Sequence, residues 1–452
     1  MSSELHLTSG RIAPQLLRLC LPLLAASALQ QLYNIINSLV VTYYLGSSAF
    51  SALGVAESVM NLFIYVITGA CMGASVLIAQ FFGEENYPRL RQQLYVSAVL
   101  IGGCSILAII LGQVFLSPLL QLIQTPAELM ADVTVYLRVI LAGMIFTFTY
   151  NYLAATLRAL GDTKAALLFL FISLGYNLCA AWLLVGVLKM GIMGTALATA
   201  SAQLLSSVLC VIYIKKHRPF LRVGREDMRM DPVLIRRTSS YAAVVALQQS
   251  SLYLGKLLVQ SSVNAISLVS TAPISAFTAA TRLENFLLAF GSSGCEALAI
   301  FIAQNKGAGQ HDRALRGLKL GLVMMVAMGL CFTLLLRLAA APLSAIFLEP
   351  TDPGTALCIS YLQLISYFYL LAFAGNTFIG WFRGTGRMNI PFVGTTIQIV
   401  IRVTGTYLLA GTMGLGAVAL ATGVGWTVIV CFHSSMFLLE RKNIWPRPAI
   451  QS

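Results

Sequence analysis

The sequence predicts an all-α integral membrane protein whose twelve transmembrane helices form two pseudo-symmetric six-helix lobes. Three observations lead to this prediction: an apolar composition, a one-sided distribution of basic residues, and motifs that recur in both halves. Of the 452 residues, 58% are hydrophobic and only 10% are charged. A soluble domain carries roughly 25% charged residues. Because a water-soluble surface cannot be built from this composition, we expect the chain to lie in a membrane.

Twelve apolar stretches are long enough to cross a bilayer, since a spanning helix needs ~20 apolar residues. Short polar or charged segments separate them. An even number of spans places both termini on the same side of the membrane. The stretches lie near 16–40, 52–80, 94–116, 133–157, 165–187, 193–214, 240–262, 272–303, 320–341, 357–381, 391–410 and 417–438.

The Lys and Arg residues fall mainly in one set of loops. The stretch from Lys215 to Arg237 carries eight of them, whereas loops 117–132 and 342–356 on the opposite side carry none. Basic loops mark the cytoplasmic side of a membrane protein. We therefore expect a multi-pass protein of the cell (inner) membrane with both termini cytoplasmic. Its predicted parts are an N-lobe (1–214), a basic linker loop (215–237) and a C-lobe (238–452).

Short motifs recur in the same order in both halves, which indicates an internal duplication. Because six spans per repeat is an even number, both halves enter the membrane from the same side, and an axis along the membrane normal relates them. Transporters built from two parallel bundles have this plan, with a site between bundles that rock in alternation. The recurring motifs are ALQQ (28–31 and 246–249), IAQ (78–80 and 302–304), RxxG (158–161 and 383–386) and ALAT (196–199 and 419–422).

No motif in the sequence indicates an enzyme. The phosphate-binding GxxxxGK[ST] loop, HExxH and GxSxG are all absent, so we expect neither ATP hydrolysis nor a bound cofactor. Transport would then be driven by a proton or sodium gradient, or be passive. The nine cysteines are scattered and include no CxxC pair, so we expect no metal site. The expected partners are small organic substrates and the lipid bilayer, with no nucleic acid, and the expected state is a monomer.

Seven segments resemble the multidrug and toxic compound extrusion (MATE) family of cation-coupled exporters, and they cover almost the whole chain. The pattern is most similar to the branch named for DNA-damage-inducible members. The resemblance implies two lobes, a central cleft, and exchange of organic, often cationic, compounds for protons or sodium. The segments are YNIINSLVVTYYLG (33–46), VLIAQFFGEEN (76–86), RALGDTK (158–164), GIMGTALAT (191–199), RLENF (282–286), IAQNKGAG (302–309) and RGTGRMN (383–389).

The resemblance also implies a cation site in the N-lobe, but this chain lacks the site's carboxylates. Many relatives have an Asp where this chain has Asn37. In the DNA-damage-inducible branch an Asn and an Asp of the fifth span and a Thr of the sixth complete the site. The Asn and the Thr are kept as Asn177 and Thr199, whereas the Asp position reads Ala181. The resemblance therefore assigns Asn37, Asn177 and Thr199 to cation coupling without an acid beside them.

Three charged residues lie well inside predicted spans, where each costs about 2.5–3.5 kcal/mol on insertion scales. Glu284 is about 12 residues into its span, or roughly 18 Å along a helix, which is near the midplane. It is our candidate for the cation-coupling acid, and the alternative is a permanent ion pair. Lys256 is its expected partner, unless its side chain extends to the interface. Arg402 falls at the repeat position of Asn177 and is expected to act as a fixed charge.

Polar and aromatic side chains in matching helices of both halves predict a substrate cleft. Ring faces bind flat organic cations, and amides offer hydrogen bonds. The alternative is that these residues only join neighbouring helices. The predicted cleft residues are Gln30, Gln31, Tyr33, Asn34, Asn61, Gln248, Gln249, Tyr253, Asn285 and Arg402.

The leading functional hypothesis is secondary active efflux of amphipathic, cationic organic compounds in exchange for protons or sodium. The first alternative is a flippase for lipid-linked precursors, which the basic residues Lys256, Arg282 and Arg402 would suit. The second is a membrane scaffold or receptor that transports nothing. The duplication and the charges within the membrane argue against the second alternative.

Overall fold

The structure is a computed structural model that describes residues 7–266, 272–349 and 351–440, and these ranges contain helices and connecting turns but no strand. The first half of the chain forms six α-helices. They are α1 (Ile12–Gly83), α2 (Tyr87–Val114), α3 (Leu116–Leu122), α4 (Met130–Ala159), α5 (Thr163–Ala181, continued by a π-helical turn at Trp182–Val187) and α6 (Gly191–His217).

The second half forms seven α-helices, and two of them are the arms of one bent span. They are α7 (Pro232–Ile266), α8 (Ala272–Gly307), α9 (His311–Ser344), α10 (Pro353–Ser366), α11 (Tyr369–Gly384), α12 (Asn389–Met413) and α13 (Leu415–Glu440). Asp352 caps α10 by accepting a hydrogen bond from the Gly354 N–H at 2.6 Å.

Eleven helical segments in the described ranges are long and apolar enough to cross a membrane, and α10 and α11 together, bent by 53°, make a twelfth. The prediction of twelve spans is confirmed. The predicted spans at 16–40 and 52–80 are the two spanning segments Ile12–Gly46 and Ser48–Gly83, which meet at a break in α1 at Gly46. Gly46 has φ 82° and ψ −176°, a conformation that only glycine adopts without a steric cost.

The described residues group into two compact units that differ from the predicted lobes at two places. Unit 1 contains Leu21–Ala246, and unit 2 contains Leu7–Cys20 together with the chain from Leu247 onward. The start of α1 therefore belongs with the second half, and the start of α7 belongs with the first. Such an exchange cannot be read from hydropathy, because it depends on which side chains the ends of these long helices contact.

In unit 1, the central linker is shorter than predicted and is held by a buried ion pair. Because α6 extends to His217 and α7 begins at Pro232, the linker is reduced to 218–231. Arg218 and Asp162 are both buried, and Arg218 Nη2 donates to Asp162 Oδ2 at 2.7 Å. The Tyr213 hydroxyl donates to the same carboxylate oxygen at 2.8 Å. Asp162 also caps α5, so a single side chain fixes both the helix start and the linker.

In unit 2, α11 packs closely on α8 because small residues line the contact. A Cβ atom at Gly380 would lie 2.8 Å from the Cys295 carbonyl oxygen, and one at Gly384 would lie 2.7 Å from that of Ala299. Glycines four residues apart lie on one helix face and allow two backbones to approach. This approach keeps α11 against the helix that carries Glu284.

Candidate functional site

The predicted coupling acid, Glu284, lies in the interior of unit 2. Its side chain is 4% exposed, and its Oε2 atom accepts a hydrogen bond of 3.0 Å from the Tyr361 hydroxyl. Tyr361 is on α10 and is 1% exposed. A carboxyl that is buried and held by a single hydroxyl donor keeps its second oxygen free to accept a proton or a cation.

The two basic residues predicted beside Glu284 are close to it but do not pair with it. Lys256 and Arg402 both interact electrostatically with Glu284. Neither forms an ion pair with it in the part of the chain that the structure describes. Lys256 Nζ instead donates to Asn285 Oδ1 at 3.1 Å, and both of these side chains are exposed. Lys256 and Glu284 therefore each form a hydrogen bond with a neutral partner, Asn285 and Tyr361, and not with each other.

Arg402 completes the unit 2 cluster from α12. Its Nε atom is buried and has no hydrogen-bond partner among the described residues. With two basic groups and one acid, the cluster carries a charge of +1 when Glu284 is ionised and +2 when Glu284 is neutral. A change of one charge at Glu284 therefore changes the field at an exposed lysine.

In unit 1, the structure brings together three of the predicted residues from three helices. Asn177 Nδ2 on α5 donates to Thr199 Oγ1 on α6 at 3.3 Å, and Thr199 donates to the Thr195 carbonyl oxygen at 3.1 Å. The Tyr33 side chain, on α1, lies near Thr199. Ala181, at the position where the resemblance implies an Asp, is buried on α5.

Two amides in unit 1 have oxygens without a donor. Asn37 is 8% exposed and Asn177 is 3% exposed, and the Oδ1 atoms of both lack a hydrogen-bond partner among the described residues. Buried polar atoms are nearly always satisfied. Neutral amide oxygens of this kind are suitable ligands for a hard cation.

Gln248 does not fit the prediction that it lines a cleft. It is 2% exposed, and its amide nitrogen donates to the Pro391 carbonyl oxygen at 3.2 Å and to Thr395 Oγ1 at 2.8 Å. Its amide oxygen accepts a 2.8 Å hydrogen bond from Arg383 Nη2. The residue therefore joins α7, α11 and α12, as the alternative reading proposed.

The remaining predicted cleft residues keep side-chain surface that can contact another molecule. Gln30 and Asn34 are exposed, whereas Gln31, Asn61, Gln249 and Tyr253 are half-buried.

Two other acidic or basic residues inside spans have neutral neighbours. The Arg282 guanidinium lies 5.9 Å from the centre of the Phe347 ring. Glu57 interacts electrostatically with Tyr33 and Tyr136. Neither residue belongs to the unit 2 cluster.

Sequence reasoning missed Tyr361, the donor to Glu284. No signal in the sequence marks it, because an apolar helix often contains tyrosine and the contact joins residues 77 positions apart. It also missed the Asp162–Arg218 pair, although Asp162 lies in the RALGDTK segment and Arg218 in the basic linker.

A duplicated bundle of twelve spanning helices with a charged cluster inside one unit defines a multi-pass membrane transporter. The MatE family model matches two segments, residues 22–183 and 245–408, one in each half. These segments cover more than half of the chain. The chain belongs to the MatE family.

Named relatives and solved structures agree with this assignment. The chain is 26% identical over 443 residues to the probable multidrug resistance protein YpnP of Bacillus subtilis (strain 168), with 97% of each chain covered. It is 28% identical over 334 residues to a FAD transporter of Shewanella oneidensis (strain ATCC 700550), with 71% of each covered. A crystal structure of MATE in the bent conformation superposes with a TM-score of 0.90 at 19% identity, covering 98% of both chains. The assignment to the DNA-damage-inducible branch stays a prediction.

Proposed function

We propose that this transporter is a secondary active antiporter that exports amphipathic organic compounds in exchange for protons or sodium ions. The single observation that carries the proposal is Glu284, an acid buried inside unit 2 with two basic residues near it but not bonded to it. Family membership supplies the transport function, and this cluster supplies a group that can bind the coupling ion.

In the proposed cycle, Glu284 changes charge and the two basic residues respond. An ionised Glu284 offsets part of the charge of Lys256 and Arg402. A proton or sodium ion bound to Glu284 removes that offset. The electric field at Lys256 therefore differs between the protein with the ion bound and the protein without it. A ligand shifts a conformational equilibrium only when it interacts differently with the two states. This difference in field is the means by which the ion would favour one state.

The unit 1 cluster supplies neutral oxygens in the same proposal. Asn37, Asn177 and Thr199 offer amide and hydroxyl oxygens in place of the carboxylates that the resemblance leads one to expect. Without an acid, this cluster can help to hold a cation but cannot carry a proton. We therefore assign the coupling charge to Glu284 and an assisting role to these three residues.

The proposal also includes the membrane in which the protein lies and its oligomeric state. The chain would lie in the cell (inner) membrane with its basic loops and both termini in the cytoplasm, as the distribution of Lys and Arg predicts. It would act as a monomer on small organic substrates, without a cofactor other than the coupling ion. It would have neither enzymatic activity nor a nucleic-acid partner.

A second candidate is transport of phosphate-bearing amphiphiles, as in a flippase for lipid-linked precursors. The observation that favours it is the positive charge of the unit 2 cluster together with the exposed ammonium group of Lys256. The relative named as a FAD transporter handles a molecule with two phosphates. The expectation that the substrates are cationic stays a prediction, and the unit 2 cluster does not favour it.

The test is dye uptake into everted membrane vesicles on imposing an inside-acidic pH gradient without sodium. The variant is Glu284→Gln, and the matched control is Glu128→Gln, the same chemical change at an exposed residue. We expect rapid uptake by the wild type and by the control, and at least roughly tenfold slower uptake by Glu284→Gln, because the amide carries no titrating charge.

Equal uptake by Glu284→Gln and the wild type would remove Glu284 from the mechanism. If neither a proton nor a sodium gradient drives uptake in the wild type, the antiporter proposal fails. The second candidate is then measured by the movement of a fluorescent phospholipid across liposomes containing the protein.

A further inference from the structure

A furrow on unit 2, away from the candidate site, has the features of a binding site. It is a cavity of about 440 Å³ lined by residues from the first three turns of α9 and the last turns of α11 and α13. These helix ends lie at the basic end of the unit. Helices α9 and α13 both pack against α11, so α11 forms the floor between them.

The furrow combines an apolar wall with two basic groups. Phe378 of α11 and Phe437 of α13 lie 6.0 Å apart between ring centres, and Leu322 of α9 lines the same space. Arg316 and Lys319 are three residues apart on α9 and share a helix face. Both are exposed, and in the described ranges neither forms an ion pair with a carboxylate.

Asp312 is the acid that lines the furrow, and it leaves the two basic groups in excess. The carboxylate of Asp312 forms no ion pair among the described residues, and the Arg316 Nε atom makes only a long 3.4 Å contact with the Asp312 carbonyl oxygen. The furrow therefore carries a net charge of +1 beside an apolar wall. Asp312 alone does not balance Arg316 and Lys319.

In unit 1 the chain itself covers the start of a matching helix. There α2 is the repeat counterpart of α9, and the linker after α6 packs against it. Arg91 Nε donates to Asp227 Oδ2 of the linker at 2.8 Å. Phe220 of the linker packs against Phe82 and Tyr87, with ring centres 6.3 Å and 5.3 Å apart. In unit 1 the chain itself therefore supplies both a carboxylate and an apolar group.

The segment 441–452, which follows α13, has no acidic side chain to match Asp227 of the unit 1 linker. Its sequence, RKNIWPRPAIQS (441–452), contains three basic residues and no Asp or Glu. It offers apolar side chains but no counter-charge for Arg316 and Lys319, and its own positive charge is repelled by them. An anionic group of another molecule would balance the positive charge of the furrow.

We propose that an anionic phospholipid of the leaflet at the basic end occupies this furrow. Its phosphate lies between Arg316 and Lys319, and one acyl chain runs along Leu322, Phe378 and Phe437. Clusters of basic residues beside the membrane attract anionic lipids. The apolar wall of the furrow adds a surface on which the acyl chain of the lipid can pack. A zwitterionic lipid brings a positive group that the furrow repels, so the site distinguishes the two headgroups.

The test is native mass spectrometry of the delipidated, full-length protein titrated with dioleoyl phosphatidylglycerol or dioleoyl phosphatidylcholine. We expect one phosphatidylglycerol to bind at least about tenfold more tightly than phosphatidylcholine. The double change Arg316→Gln and Lys319→Gln should abolish this preference. The matched control, Arg282→Gln with Arg337→Gln, removes two basic groups that lie over Phe347 and Tyr367 instead and should keep the preference.

Two further variants test separately the role of the apolar wall and the role of the C-terminal segment. Leu322→Trp fills the furrow without changing its charge and should weaken phosphatidylglycerol binding several-fold. Removal of residues 441–452 should leave that binding unchanged. If the removal strengthens phosphatidylglycerol binding several-fold, the C-terminal segment is the natural occupant and the proposal is wrong. Equal affinity of the wild type for the two lipids, or an unchanged preference after the double change at Arg316 and Lys319, overturns it as well.

Discussion

At the scale of single residues, the hydrogen bond between Tyr361 and Glu284 is the contact on which the candidate site depends. Both residues are buried, and the hydroxyl approaches the carboxyl to 3.0 Å. A buried carboxyl that loses its partner bears a desolvation cost of about 1–3 kcal/mol, more if it is charged. Tyr361 therefore both stabilises unit 2 and orients the acid.

Tyr361→Phe removes this hydrogen bond and keeps the packing of the ring. We expect a lower thermal unfolding midpoint in detergent, equivalent to about 1–3 kcal/mol, together with slower acid-driven dye uptake. Tyr369→Phe is the matched control, because the Tyr369 hydroxyl is buried without a hydrogen-bond partner in the described ranges. Its removal should not lower the midpoint. A midpoint that falls equally in both variants would show that the hydroxyl of Tyr361 has no special role.

The sequence alone was sufficient to select Glu284 and Lys256, because charges inside an apolar helix are rare and stand out. It was not sufficient to identify their partners. Asn285, which was predicted to line the cleft, accepts a hydrogen bond from Lys256. Gln248, the repeat counterpart of Gln30, was also predicted to line the cleft but is hydrogen-bonded in the interior. Which amide faces a neighbour depends on helix rotation, which the hydropathy of one sequence does not specify.

At the scale of helices, glycines determine how closely α11 approaches α8. The backbone carbonyl oxygens of Cys295 and Ala299 lie 2.8 Å and 2.7 Å from the positions that Cβ atoms of Gly380 and Gly384 would take. Within a bilayer, helix association depends on close packing rather than on a hydrophobic driving force. Both helices carry parts of the unit 2 core, so their spacing influences the position of Glu284.

Gly384→Ala should separate these two helices. The added Cβ would meet the Ala299 carbonyl oxygen and the Ile302 Cβ atom, each at 2.7 Å, and such overpacking costs typically about 1–3 kcal/mol. The matched control is Gly103→Ala in α2, where a Cβ meets nothing within 4 Å and helix propensity favours alanine. Thermal unfolding in detergent should show a lower midpoint for the first variant alone. A midpoint unchanged by Gly384→Ala would contradict the close approach.

The number of helices followed from the sequence, but their shapes did not. Twelve stretches were found, and one of them is divided into α10 and α11. The 53° bend near Ser366 has no strong sequence signal, since no proline lies there, whereas the break at Gly46 coincides with a glycine. Such breaks depend on how neighbouring helices replace the lost backbone hydrogen bonds.

At the scale of the whole molecule, the first residues of α1 belong to unit 2 rather than to unit 1. Arg313 of α9 holds them there. Its guanidinium donates to the carbonyl oxygens of Leu7, Ser9 and Gly10 and to the Gln15 side chain, at distances of 2.8 to 3.0 Å. Gln304 and Asn305 add hydrogen bonds to the Leu7 backbone.

Arg313→Ala should release this N-terminal segment. We expect amide hydrogen exchange within residues 7–20 to accelerate by roughly tenfold or more, because several hydrogen bonds to its backbone are lost. Arg316→Ala, one turn away and with only a long contact to its own helix, is the control and should leave this exchange unchanged. Exchange that stays as slow in Arg313→Ala as in the wild type would show that apolar packing alone holds the segment.

The sequence by itself determined the membrane environment, the helical class, the duplication and the number of spans. These properties follow from composition and from the spacing of motifs, and they do not depend on how the helices contact one another. Only the tertiary structure decided that Glu284 pairs with Tyr361, that Lys256 contacts Asn285, and that the ends of α1 and α7 exchange units. These arrangements depend on helix rotation, bends and close approach. Within a bilayer, packing rather than the hydrophobic effect fixes them, and packing joins residues far apart in the chain.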